Sequence, residues 1–167
     1  MSQKQALPIG IQTFESIRSS KDNFLYVDKK AHIHEMTKLI VGYYFLSRPR
    51  RFGKSMLCST LQALFEGKQE LFEGLHIHDK WDWSQIYPII RMDLSATHYK
   101  NLDAVEAKLW INLNRNAEFH GVELTIKESL GSALEELIFK IQQKHNKKVV
   151  VIIDENDKPV QDTLIKR

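Results

Sequence analysis

The sequence predicts an α/β domain with a mostly parallel sheet flanked by helices. Three observations carry this. Short apolar runs of strand length, "YYFLS", "YPIIRMDLS" and "VVVIID", stand well apart in the chain. The stretches between them place apolar residues at helical spacing. Strands alternating with helices are joined by crossovers, and crossovers give parallel neighbours. At 167 residues the chain is expected to form one domain with room for a proper core.

Taken in order, residues 1–6 are expected to be a flexible N-terminus and 7–167 the domain itself. A short helix is predicted around Phe14 to Ser19, then a strand or extended segment over "FLYVD". Lys29 to Ile40 reads as a helix with Ile33, Met36, Leu39 and Ile40 on one face. Tyr43 to Ser47 is continuous and apolar, the pattern of a strand buried on both faces. After a basic loop, Met56, Leu57, Leu61, Leu64 and Phe65 form a helical stripe that Gly67 can end. Tyr87 to Ser95 is the second strand, and Asp103 to Phe119 a helix with Trp110 near its core face. Thr125 or Lys127 opens another helix, whose stripe is Leu130, Leu134, Leu137, Ile138 and Ile141. Val149 to Asp154 is the clearest strand, five branched aliphatics closed by an acid.

Composition narrows the function classes. Hydrophobic residues make up 43% and charged residues 27%, as in ordinary soluble domains. A net charge of +3 is too weak to argue for nucleic acid by itself. No apolar run approaches the ~20 residues a membrane span needs. "MSQKQALPIG" lacks the apolar core of a signal peptide. One cysteine, Cys58, permits no intrachain disulfide, which fits a cytoplasmic protein.

"FLSRPRRFGKSML" carries the first chemical signal. A phosphate-binding loop reads G-x-x-x-x-G-K-S/T, and its backbone N–H groups curl around phosphates at a helix N-terminus. Gly53 lets the backbone turn, Lys54 reaches the β- and γ-phosphates, and the Ser55 hydroxyl binds Mg²⁺. The first glycine of the pattern is replaced by Arg48, and Pro49 can set the strand exit through its fixed φ. Arg50 and Arg51 add positive charge, although a solvated basic loop explains either arginine alone. The phosphate-binding stretch is taken as Arg50, Arg51, Phe52, Gly53, Lys54, Ser55 and Met56.

"VVVIIDE" carries the second signal. An aliphatic strand ending in two acids has the form of a Walker B strand. Asp154 would hold Mg²⁺, largely through its water shell, and Glu155 would orient and deprotonate the attacking water. A core strand ending in surface acids gives the same pattern. The two signals, about 100 residues apart, gain weight from each other because both act on one Mg-nucleotide.

"LPIG", "YVDK", "FLSRPRRFGKS", "LFEGL", "WDW" and "IDENDKP" occur in the order seen in the AAA-ATPase-like family of bacterial P-loop proteins, which resembles the archaeal-type ATPases. The resemblance runs from about Leu7 to Pro159. It implies ATP and Mg²⁺ as cofactors, ATP hydrolysis in complete relatives, and the roles given above to Gly53, Lys54, Ser55, Asp154 and Glu155. Arg at the first-glycine position resembles the family's own form of the loop. The acidic motif departs from the usual DEYDKP, with Asn156 in place of tyrosine. Relatives continue with further strands, a helical lid and often a nuclease-like domain of the PD-(D/E)XK type. The chain therefore reads as an incomplete P-loop core cut after the Walker B strand, with nucleic acid as a partner only through the missing region. The rival reading is an inactive remnant or interaction module that does not turn over ATP.

Other residues have plainer readings. His76 and His78 are expected in a loop, and His32 and His34 point apart on a helix. Trp81, Trp83, Trp110, Phe24 and Tyr26 are expected to pack rather than stack bases. Asp93 is expected as a helix cap or surface acid, and Lys144 to Lys148 as a solvated helix end.

Overall fold

The computed structural model describes residues 5–19, 23–28, 30–37, 42–47, 52–95 and 99–159. They fall into two compact units, Met1–Ile86 and Tyr87–Arg167.

Among the described residues of the first unit, three helices and a 3-10 turn surround an apolar core. α1 (Phe14–Arg18) is capped by Thr13, whose hydroxyl accepts from the Ser16 amide at 3.3 Å. α2 spans Lys30–Thr37 and α3 spans Lys54–Phe65, followed by a 3-10 turn at Gln69–Phe72. Phe14, Ile33, Ala63, Leu64, Leu71, Phe72 and Ile77 form the buried cluster. The Phe14 ring lies 4.8 Å from Phe72 and 5.2 Å from Tyr26. Burial raises the Tyr26 phenol above its usual range. The Phe14 amide donates to Ser59 Oγ at 2.9 Å, which ties α1 to α3. α3 ends as predicted. The Gly67 amide donates to Leu64 O and the Lys68 amide to Ala63 O, with Gly67 at φ 74°. These two bonds make a Schellman cap, which needs the left-handed residue glycine supplies.

Tyr43 to Ser47 corrects the sequence reading. The segment belongs to no strand among the described residues, and Tyr43, Tyr44, Phe45 and Leu46 are all exposed. A strand buried on both faces needs partners along its edges and layers above and below. The described part of this unit offers neither, so apolar composition alone does not make the strand. Within "FLYVD", Phe24 forms an isolated bridge to Ala6 and the segment is no described strand.

The second unit is a βααβ crossover. β1 (Ile89–Asp93) and β2 (Val150–Asp154) pair in parallel, in register from Ile89↔Val150 to Asp93↔Asp154. α4 (Leu102–His120) and α5 (Leu130–His145) join them. Ile90, Met92, Leu113, Ala117, Ala133, Leu137 and Ile141 form its buried cluster. α5 starts later than the sequence suggests. Ser129 caps it, and the Glu136 carboxylate takes the amides of Thr125 and Ile126 at 3.0 and 2.9 Å, which holds that segment out of the helix.

Lys140, the Thr125 hydroxyl and the Ile126 amide together hold the Glu136 carboxyl down to about 2. A depressed carboxyl stabilises the fold above its unfolded value, near 4.5, and loses that contribution as pH falls towards about 2. Glu136→Gln is therefore expected to melt at lower urea than the parent at neutral pH. The gap should close across that acidic window, as followed by urea melts at stepped pH.

One edge of the sheet is closed by side chains. The ladder bonds Val150 N to Pro88 O and Leu94 N to Asp154 O place the even-numbered residues of β1 towards β2. Ile89, Arg91 and Asp93 then turn their backbone groups outward, and α4 meets each one. Asn116 accepts from Arg91 N at 2.9 Å and donates to Arg91 O at 2.8 Å. Asn112 bonds Asp93 N and O at 3.3 and 3.1 Å, and His120 Nε2 donates to Ile89 O at 2.8 Å. Asn112, Asn116 and His120 are four residues apart, so they share one face of α4. They substitute for a neighbouring strand along β1.

Candidate functional site

The predicted site residues fall in both units. In the first, α3 begins where the motif requires it. Gly53 precedes the helix at φ 76° and ψ 25°, a left-handed conformation that glycine adopts without strain. A Cβ there would meet nothing closer than the Met56 Cβ at 4.0 Å, so conformation rather than crowding calls for glycine. Lys54 and Ser55 form the first turn, which contains no acidic residue. An anion approaching this end would meet the first-turn amides of a 12-residue helix, an ammonium group and a hydroxyl, with no first-turn carboxylate to repel it. Met56 points the other way, against the core of its unit. Phe52 is exposed, and Arg50 and Arg51 lie outside the described residues.

In the second unit Asp154 closes β2 and is buried, and the half-buried Glu155 follows it. Asp154 Oδ2 accepts from Arg91 Nη2 at 3.0 Å, and Oδ1 accepts from the Glu155 amide at 3.0 Å. Glu155 has φ 56°, a left-handed conformation uncommon for a residue with a side chain. That bend turns the chain sharply at the carboxyl end of the sheet, where ligands of open α/β sheets bind. Register sets Asp93 beside Asp154. Burial pushes the Asp93 carboxyl up, but the Ser95 hydroxyl and amide, helped by Lys108 and Arg91, outweigh it and leave it below the usual range.

Gly53, Lys54, Ser55 and Met56 thus sit together in one unit, and Asp154 and Glu155 in the other. Among the described residues no cluster of three or more His, Cys, Asp or Glu side chains is placed to hold a metal ion. The first unit offers amides, an ammonium and a hydroxyl, which suit phosphates, and the second offers carboxylates, which suit a hard cation. Sequence reasoning missed Arg91, Asn112 and Asn116. Their signals were faint: one cation inside an apolar strand, and two asparagines at i, i+4 on a helix.

The plainer readings hold for the turn histidines and the packed aromatic side chains, but Asp93 caps no described helix and is half-buried at the end of β1, and the Lys144 ammonium donates to His120 O at 2.8 Å. His76 and His78 lie in turns, with His78 Nδ1 2.7 Å from Asp79 Oδ1. Trp81, Trp83 and Tyr26 pack on the core of the first unit and Trp110 on that of the second. No described helix is long and apolar enough to cross a membrane.

Residues 8–167 match the AAA-ATPase-like family, described as "Predicted AAA-ATPase". The chain is 41% identical over 164 residues to "Uncharacterized protein in vnfD 5'region" of Azotobacter chroococcum mcd 1. That alignment covers 98% of this chain and 31% of the relative, so the chain spans about a third of the relative's length. No solved structure matches. With its family match covering nearly the whole chain, the protein belongs to the AAA-ATPase-like family.

Proposed function

We propose that the chain binds Mg-ATP, with the triphosphate on the N-terminus of α3 and with Ser55 and Asp154 as metal-binding residues. The observation that carries this reading is the left-handed Gly53 opening α3, with Lys54 and Ser55 in the first turn. Family membership adds support. Lys54 neutralises charge on the terminal phosphates, and the first-turn amides fix their position. When bound, Mg²⁺ would supply charge neutralisation to the phosphates. Asp154 offers a carboxylate for that cation's ligand shell, and Glu155 accepts a proton from the water that attacks the γ-phosphate.

Calorimetric titration with ATP tests the reading. Saturable heat in the presence of Mg²⁺, weakened by EDTA, is expected, whereas no heat with the parent protein would end the assignment. Glu155→Gln separates binding from turnover. It should leave ATP affinity within about two-fold and lower hydrolysis by ~10²-fold or more, the scale of a lost general base. Coupled-assay rates and calorimetry on the same preparation check both parts.

A further inference from the structure

We propose that Arg91 is a positioning residue that holds the Asp154 carboxylate without metal and gives it up when a divalent cation binds. The inference rests on the reading of Asp154 as a metal-binding residue.

Side chains alternate across a strand, and register pairs Arg91 with Ile152 and Asp93 with Asp154. Arg91, Asp93 and Asp154 therefore share one face of the sheet. The Arg91 guanidinium reaches diagonally to Asp154 Oδ2 at 3.0 Å. The Asp154 side chain is only 6% exposed, while that of Arg91 is 28% exposed. A carboxylate this buried needs a nearby positive charge, because removing one partner leaves an uncompensated ion. Arg91 supplies that charge from a fixed base, since Asn116 bonds both its amide and its carbonyl.

The second oxygen of Asp154 is engaged by the Glu155 amide. A divalent cation on either oxygen of this carboxylate comes within a few ångströms of the guanidinium. Two positive charges a few ångströms apart in a partly buried site repel strongly, so the guanidinium has to move. Asp93 gives it a destination: a carboxylate on the same face, two residues further along the same strand. Arg91 then competes with metal at Asp154, lowering metal affinity while keeping the metal-free site folded.

Mn²⁺ alone, titrated into the whole chain and followed by electron paramagnetic resonance, tests this. Arg91→Gln should bind Mn²⁺ about ten-fold tighter than the parent, while Arg91→Lys, which keeps the charge, stays near it. Asp154→Asn should remove the site in either background. If Asp154→Asn leaves Mn²⁺ binding unchanged, the metal reading of Asp154 fails and takes this proposal with it. If Asp154→Asn abolishes binding but Arg91→Gln binds no tighter than the parent, only the role of Arg91 is overturned. A readout on the parent protein covers a poorly folded variant. Mg²⁺ should shift the Arg91 guanidinium ¹⁵N resonance over the concentrations that shift the Asp154 amide, and a stationary Arg91 signal would contradict the proposal.

Discussion

Replacing Lys54 with alanine is expected to weaken ATP binding by roughly 10- to 100-fold. A hydrogen bond to a charged group contributes about 1.5–3 kcal/mol, and each 1.4 kcal/mol is a factor of ten in affinity. Alanine is the best helix former, so the first turn of α3 should survive the change. The loss therefore reads the ammonium group rather than the helix end. Calorimetry on both proteins, with circular dichroism as the folding control, measures it. Equal ATP affinities would remove Lys54 from the site.

Asn116→Ala is expected to destabilise the second unit by about 2–4 kcal/mol. The substitution deprives Arg91 of partners for both its amide and its carbonyl. Each buried backbone group left unpaired costs about 1–3 kcal/mol. The asparagine also donates to Asn112 O at 2.8 Å, so its neighbour in the ladder loses support. Set against a domain stability of ~5–15 kcal/mol, this is a large fraction. Urea melts give the value directly. A change below about 0.5 kcal/mol would mean that water or a shifted helix satisfies the β1 edge, and that the ladder is not a surrogate strand.

The sequence was most informative where a local pattern and its tertiary setting agree. β2 needed only five branched aliphatics, and it lies within a residue of the expected span. α4 and α5 announced themselves by helical spacing, and Gly67 ended α3 through a cap that depends on its own backbone freedom. Tyr43 to Leu46 shows the limit, because an apolar run becomes a buried strand only when something else pairs with it and covers it. The start of α5 was obscured for a related reason. Glu136, eleven residues away in sequence from Thr125, decides whether Thr125 joins the helix.

The site divides along the same line. Gly53, Lys54 and Ser55 form a contiguous motif whose chemistry depends on backbone shape over three residues, so it is legible in sequence. Asp154 was legible as the acid at a strand end, but its partner Arg91 lies 63 residues earlier. Only strand register reveals that the two share a face. Asn112 and Asn116 were hidden for the same reason, since polar residues on a long helix normally face water.

The central proposal is that Gly53–Ser55 and Asp154–Glu155 both take part in binding Mg-ATP. Mn²⁺-ATP tests it most directly, because the paramagnetic ion broadens the amide resonances of residues close to it. In ¹⁵N-labelled protein, substoichiometric Mn²⁺-ATP should broaden the amides of Gly53, Lys54 and Ser55 together with those of Asp154 and Glu155. Broadening confined to one of these groups, with the other unaffected at saturation, would contradict the account.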